Sequence, residues 1–298
     1  MAESGYIAPS GRIVVAGRPR PIFRTVEDAT DFYPGRTAIR GSSDKQIKVG
    51  DGLNPVLGFI GFEGADASSK PATKATAYAA ATSDVGIEAP LLVGGGYAIL
   101  GKLAKGFVAV QGEDLFSWSK GRVVPGMMIG GCPAIRVPFV KKTAEFDTTI
   151  DLPAGLIIED VIVKVVTAAE SGTIDIGTLS SESSGDADGL IDGESCALAG
   201  WVAHNLVDAT AGNITIGDLL VESEIKTADG TALYLPNKKV PGYVVDAERS
   251  LSYTTSNHTI AGSFYLKVIS PGVQKIGRAV MGKDASSADG DIILEAVI

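Results

Sequence analysis

Along almost its whole length the chain alternates short apolar runs with glycine, proline or small polar residues, and long stripes of apolar residues at helical spacing are absent. The clearest stretch is residues 143–167, TAEFDTTIDLPAGLIIEDVIVKVVT. It alternates, turns at Leu152, Pro153, Ala154 and Gly155, then runs apolar through Leu156, Ile157, Ile158, Val161, Val163 and Val165. Such β-branched runs on either side of a tight corner predict two strands entering a β-sandwich core. Upstream, Ile39, Ile47 and Val49 bracket a Gly/Ser/Asp turn and predict a hairpin, which VLGFIGF at residues 56–62 continues as a buried strand. Glycines inside that strand predict a bend or a close backbone approach, as small barrels need at their corners. Short strands follow at residues 91–93, 97–100, 107–110 and 115–118, with glycine at nearly every turn.

Downstream of the corner, strands are expected at residues 173–179, 197–202, 214–216, 219–220, 232–235, 244–245, 251–254 and 262–269, with the polar loop SSESSGDADGLIDGES after the first. About eight antiparallel strands with long polar loops predict a jelly roll. Two stretches lack a pattern. Residues 1–25, with Pro9, Pro19 and Pro21, predict an extended N-terminal arm. Residues 64–83, rich in Ala, Ser, Thr and Lys, predict an exposed loop.

Composition sets the scale. With 298 residues, 45% hydrophobic and 20% charged, the chain has material for two ordinary cores, so the expected class is all-β in two domains. A net charge of −9 argues against a protein whose main work is gripping nucleic acid, because phosphate binding is dominated by Lys and Arg. Basic residues are denser in the first 48 positions; a docking face would explain this, and solvated surface is the simpler account. No stretch approaches the roughly 18 apolar residues of a membrane span, and the N-terminus has no secretory pattern, so a soluble, non-secreted product is expected.

The chemistry-bearing residues are sparse. His204 and His258 are the only histidines and no G-x-S-x-G elbow is present, which leaves a nucleophilic hydrolase without a local signature; no enzyme activity and no cofactor are expected. Asp186, Asp188, Asp192 and Glu194 lie in a Gly-rich loop and have the ligand type of a calcium site, but Leu190 stands where a third ligand belongs and the closing Glu is missing, so a solvated loop is favoured. Gly94, Gly95 and Gly96 lack the Lys-Ser/Thr of a phosphate loop and read as a strand-connecting turn. Trp118, Trp201, Tyr234, Tyr243 and Tyr253 have the chemistry of a sugar platform, with core or cross-strand pairing as the commoner alternative. Cys132 and Cys196 have no metal-ligand spacing, and their contact is left open.

Several of these features, in their order, resemble the small head-decoration, or cement, proteins of tailed bacteriophages: Pro34-Gly35-Arg36, the strand at residues 47–49 followed by Gly50-Asp51-Gly52, the strand at 56–62, GKLAKG at 101–106, and Gly112-Glu113-Asp114-Leu115. In that family an IGxAV strand and a last apolar strand close the domain; here IGRAV stands at 276–280 and the apolar strand at 292–297. The resemblance covers somewhat over half the chain. It implies a discontinuous capsid-binding β-domain of barrel or sandwich type at 26–139 and 272–298, interrupted by a jelly roll at 140–271, with the last strand pairing within the first 125 residues. By the same resemblance the expected function is a virion structural protein that binds the outer surface of the major capsid protein lattice as a homotrimer, made in the host cytoplasm, with no nucleic-acid or membrane partner. Arg18, Arg20, Ile22, Phe23 and Arg24 of the arm, with the 64–83 loop, are the candidates for capsid or subunit contact. The alternative is a fibre or tail module that binds glycans or a host surface.

Overall fold

Short β-branched runs cannot bury themselves singly, and in this chain they do so by closing into barrels and stacking into a sandwich. The structure, a computed structural model, describes residues 14–27, 32–61, 88–202 and 243–298, together with Ile225–Lys226 and Ala232–Leu233. It is an all-β fold; among the described residues the only helical turn is the 3-10 turn Ser119–Gly121. The chain divides into two units, Met1–Met127 with Ser270–Ile298, and Met128–Ile269.

The first unit begins with the short strand β1 (Val14–Ala16) and a closed barrel of β2 (Arg20–Val26), β3 (Thr37–Arg40), β4 (Gln46–Val49), β5 (Val56–Ile60) and β6 (Glu88–Val93). Val26, Phe32, Ala38, Ile47, Ile60, Ala89 and Leu91 fill it. Residues 14–16 and 20–25, expected as part of an extended arm, are strands instead. Pro19 precedes the strand, and Pro21, which has no N–H to give, is flanked by β6 alone, because β4 pairs with β2 only at Thr25 and Val26.

A second ring of strands follows: β7 (Tyr97–Leu103), β9 (Asp114–Ser117) and β10 (Val123–Ile129), then, from the far end of the chain, β22 (Lys275–Ala279) and β24 (Gly290–Ala296). β24 lies antiparallel on β7, with Ile292 opposite Gly101 and Leu294 opposite Ile99, as expected for the closing strand. A minor pair, β8 (Val108–Ala109) with β23 (Lys283–Asp284), joins two of its connections.

The second ring repeats the first. Numbering the strands of each ring in chain order, the first lies parallel to the third, and every other neighbour is antiparallel, in the order first, third, second, fourth, fifth. The register agrees as well. Val26 faces Ile47 in one ring and Leu103 faces Val123 in the other; Ile22 faces Leu91, and Ile99 faces Leu294. Both fourth strands slip register by one residue just before a glycine, Gly58 or Gly277. A Cβ at Gly58 would stand 2.4 Å from the Leu92 carbonyl oxygen, and one at Gly277 would stand 2.5 Å from that of Glu295. Even the loops match: Gly35 N–H donates to Ile60 O and Ile60 N–H to Arg36 O, while Gly112 N–H donates to Ala279 O and Ala279 N–H to Glu113 O. The two rings meet around Asp289, which accepts from Lys105 N–H (2.9 Å) and pairs with Arg122 (3.2 Å) and Arg36 (3.7 Å).

The second unit contains β11 (Cys132–Val140), β12 (Phe146–Leu152), β13 (Ile157–Thr167), β14 (Thr173–Thr178), β15 (Ile191–Ser195), β16 (Gly200–Trp201), the pair β17 (Ile225–Lys226) and β18 (Ala232–Leu233), β19 (Tyr243–Val244), β20 (Arg249–Thr255) and β21 (Ala261–Val268). One sheet runs β11-β21-β13-β16 and the other β12-β20-β14-β15. These are the two four-stranded sheets of a jelly roll, with the chain crossing between them as two Greek keys require. Tyr253 rivets the sheets, with ring centroids 6.3 Å from Phe139 and 6.2 Å from Phe264. β15 falls inside the stretch expected to be a polar loop: Ile191 is buried and pairs with Ile176, which outweighs the surrounding Gly, Ser and Asp. The strands expected at 214–216 and 219–220 lie outside the described residues.

Because Gly58 and Gly277 answer to one geometry, Gly58→Val and Gly277→Val should each destabilise the first unit by about 2 kcal/mol, since neither backbone carbonyl has room to retreat. Denaturation followed by the fluorescence of Trp118, which is buried in that unit, measures both.

Candidate interaction surface

The five arm residues are separated by the alternation of β2. Ile22 pairs with Leu91 and so shares the face of Val26 that looks into the barrel. Phe23 stands on the outer wall, 41% exposed, and Arg24 turns its guanidinium back to the Phe23 carbonyl at 3.0 Å. Arg18 and Arg20 are exposed, at and just before the start of the strand. The structure thus leaves Arg18, Arg20 and Phe23 exposed and Arg24 half-buried, and turns the half-buried Ile22 toward the barrel interior. Residues 64–83 lie outside the described residues.

A second apolar patch was hidden by the chain's order. Val110 (53% exposed), Val280 and Met281 come from loops far apart in sequence, and the Gly112–Ala279 and Lys283–Ala109 pairings bring them together. No local pattern marks these residues; the only clue is the implied pairing of the two ends of the chain.

The acidic loop does not assemble a metal centre. Gly193 bulges β15, leaving Asp192 exposed and Glu194 buried, and among the described residues no group of three His, Cys, Asp or Glu converges on a point. Burial raises the Asp175 carboxyl, the Gly193 N–H lowers it, and the nearby Asp192 and Asp188 add to the rise, so the net shift is upward. Of the expected aromatics, Trp118 and Tyr253 are core residues and Tyr243 is half-buried. Trp201 is 50% exposed, with its ring against Tyr265 and the Lys164 ammonium. Tyr234 and His204 lie outside the described residues; His258 is exposed in a turn. Gly94, Gly95 and Gly96 form the turn between β6 and β7.

Charge is divided unevenly. Met128–Ile269 holds 9 of the 26 basic and 19 of the 35 acidic residues, a net −10, which leaves the other unit at +1. In the acidic unit, burial pushes the Glu145 carboxyl up, but hydrogen bonds from the Ser180 hydroxyl and N–H and the Ser252 hydroxyl more than offset it, and the group lies below its ordinary value. Both cysteines are free thiols. Cys196 is buried, and burial, aided by the Glu194 carboxylate, pushes its thiol up to about 12. No family model matches the chain, and no curated protein does.

Two measurements follow from these environments. A thiol reagent at neutral pH should modify Cys132 in the native protein and Cys196 only after denaturation, since the protonated, buried thiol is a poor nucleophile. Glu145, lowered in the folded state, contributes stability that is present above its unfolded value of about 4.3 and lost as pH falls through the lower folded value. Urea midpoints taken from neutral to acid pH should therefore drop less for Glu145→Gln than for the natural chain.

Proposed function

We propose that this protein is a capsid decoration protein: its two-barrel unit attaches to the outer surface of a tailed-phage major capsid protein lattice, its jelly roll extends the particle surface, and it acts as a homotrimer that stabilises the head. The reading is supported chiefly by one observation. The motifs that carry the resemblance, scattered from Pro34 to Val280, all belong to the single unit formed by the two ends of the chain, and 276–280 completes the same ring as 112–115. Physically, a lattice-bound protein works by many weak contacts made at once, so modest single-site affinity is multiplied by the repeat of the lattice.

Co-sedimentation with empty heads assembled from a tailed-phage major capsid protein tests this. Saturable pelleting at a fixed copy number per head, with a higher head melting temperature, is the expected result; a chain that stays in the supernatant over heads of its own phage overturns it. Deleting residues 1–13, which removes no described strand, should weaken pelleting while leaving the unfolding transition of the unit in place.

A further inference from the structure

The repeated rings carry an inference that does not depend on the capsid reading. Inside one chain, the second ring docks on the first through a definable joint. Gly35 sits so close to the Leu100 carbonyl that a Cβ there would stand 2.3 Å from the oxygen. Leu100 is only 7% exposed, and the buried Tyr97 donates its hydroxyl to the Leu92 carbonyl at 3.2 Å. The first ring thus offers one face, around Gly35 and Leu92, and the second ring offers the other, around Tyr97, Leu100 and Gly101.

The register then identifies the same two faces where they are not used. Since Ile22 corresponds to Ile99, the first ring's counterparts of Tyr97, Leu100 and Gly101 are Arg20, Phe23 and Arg24. Phe23 is solvent-exposed where Leu100 is buried. In the other direction, the loop hydrogen bonds make Gly112 the counterpart of Gly35 and Val110 that of Tyr33, and the strand pairing makes Glu295 the counterpart of Leu92. A Cβ at Gly112 would meet nothing within 4 Å, whereas the one at Gly35 is blocked. Charge has diverged as well: Arg20 and Arg24 stand on one unused face, and Glu295, opposite Arg278 in the strand pair, on the other. Arg20 takes the place of Tyr97, and the carbonyl that takes the place of the Leu92 acceptor belongs to Glu295.

We infer that copies of this chain associate head to tail, the Arg20, Phe23 and Arg24 face of one copy seating on the Val110, Gly112 and Glu295 face of the next in the manner of the internal ring-to-ring joint. The contact is heterologous, so it propagates until rotation closes a ring. Burying Phe23 and Val110 supplies the apolar part, and the Arg–Glu pairing sets the register and disfavours like-on-like contact.

Light scattering of the full-length chain after size exclusion tests the inference without capsids. The natural chain should have a mass above the monomer. Phe23→Asp and Val110→Asp, both at exposed positions, should each be monomeric with an unchanged melting temperature. Mixing these two variants should give a dimer and nothing larger, because each retains the face that the other lacks. Arg20→Glu and Glu295→Arg provide a second pair that should fail singly and recover the natural mass when combined in one chain. A monomeric natural chain, single variants that keep the natural mass, or a mixture that stays monomeric would each overturn the proposal.

Discussion

Closure of a five-stranded ring is the constraint on which this molecule rests. A small sheet has two edges with unpaired backbone groups, and bending it until the first strand meets the third and the fifth returns to the first removes both. The first ring satisfies this with residues that are near neighbours in sequence. The second has only three of its strands before the jelly roll and must wait for Lys275–Ala279 and Gly290–Ala296. Its closing strand is held along seven paired positions, from Gly290 to Ala296, and the Asp289 carboxylate just before it ties that strand to both rings. The interruption falls in the connection between third and fourth strands, which lies outside the closing pairs. In the first ring the same connection is the short loop at residues 50–55.

Repetition with divergence explains much of the remaining surface. Phe59, fully buried on the fourth strand of the first ring, corresponds to the exposed Arg278 in the second, and Leu92 to Glu295. An apolar wall in one copy has become a charged one in the other. Arg278 and Lys275 share the Asp114 carboxylate across that wall. The fourth-strand glycine is retained in both copies because its position faces a backbone carbonyl rather than solvent.

Much of the architecture was legible in the residues. The apolar run from Leu156 to Val165, after its Pro-Gly corner, is β13 and the corner before it, and the alternation at Ile39, Ile47 and Val49 is the β3–β4 hairpin. The all-β class followed from such patterns because burial on one face imposes them directly. What was not legible depended on partners distant in sequence. Pro21 looks like an arm until β6 supplies the pairing; Ile191 looks like loop until Ile176 lies opposite it; Val110 and Met281 carry no sign that they are neighbours. The repeat was hidden for the same reason. It is conserved as strand order, register and two glycine positions, while the side chains around them have changed, and the insert separates the fourth strand of the second ring from its third.

The interrupted ring also sets an order of events during synthesis. The first ring has all its strands once Val93 has been made, and the jelly roll has its last strand at Val268, but the second ring remains an open sheet with exposed edges until Gly290–Ala296 emerge. Were the intervening chain unfolded, bringing its ends together would cost entropy that grows with its length; a jelly roll that folds first replaces that long flexible loop by a compact spacer. A folded insert would thereby shorten the search by which the divided ring finds its fourth and fifth strands, Lys275–Ala279 and Gly290–Ala296.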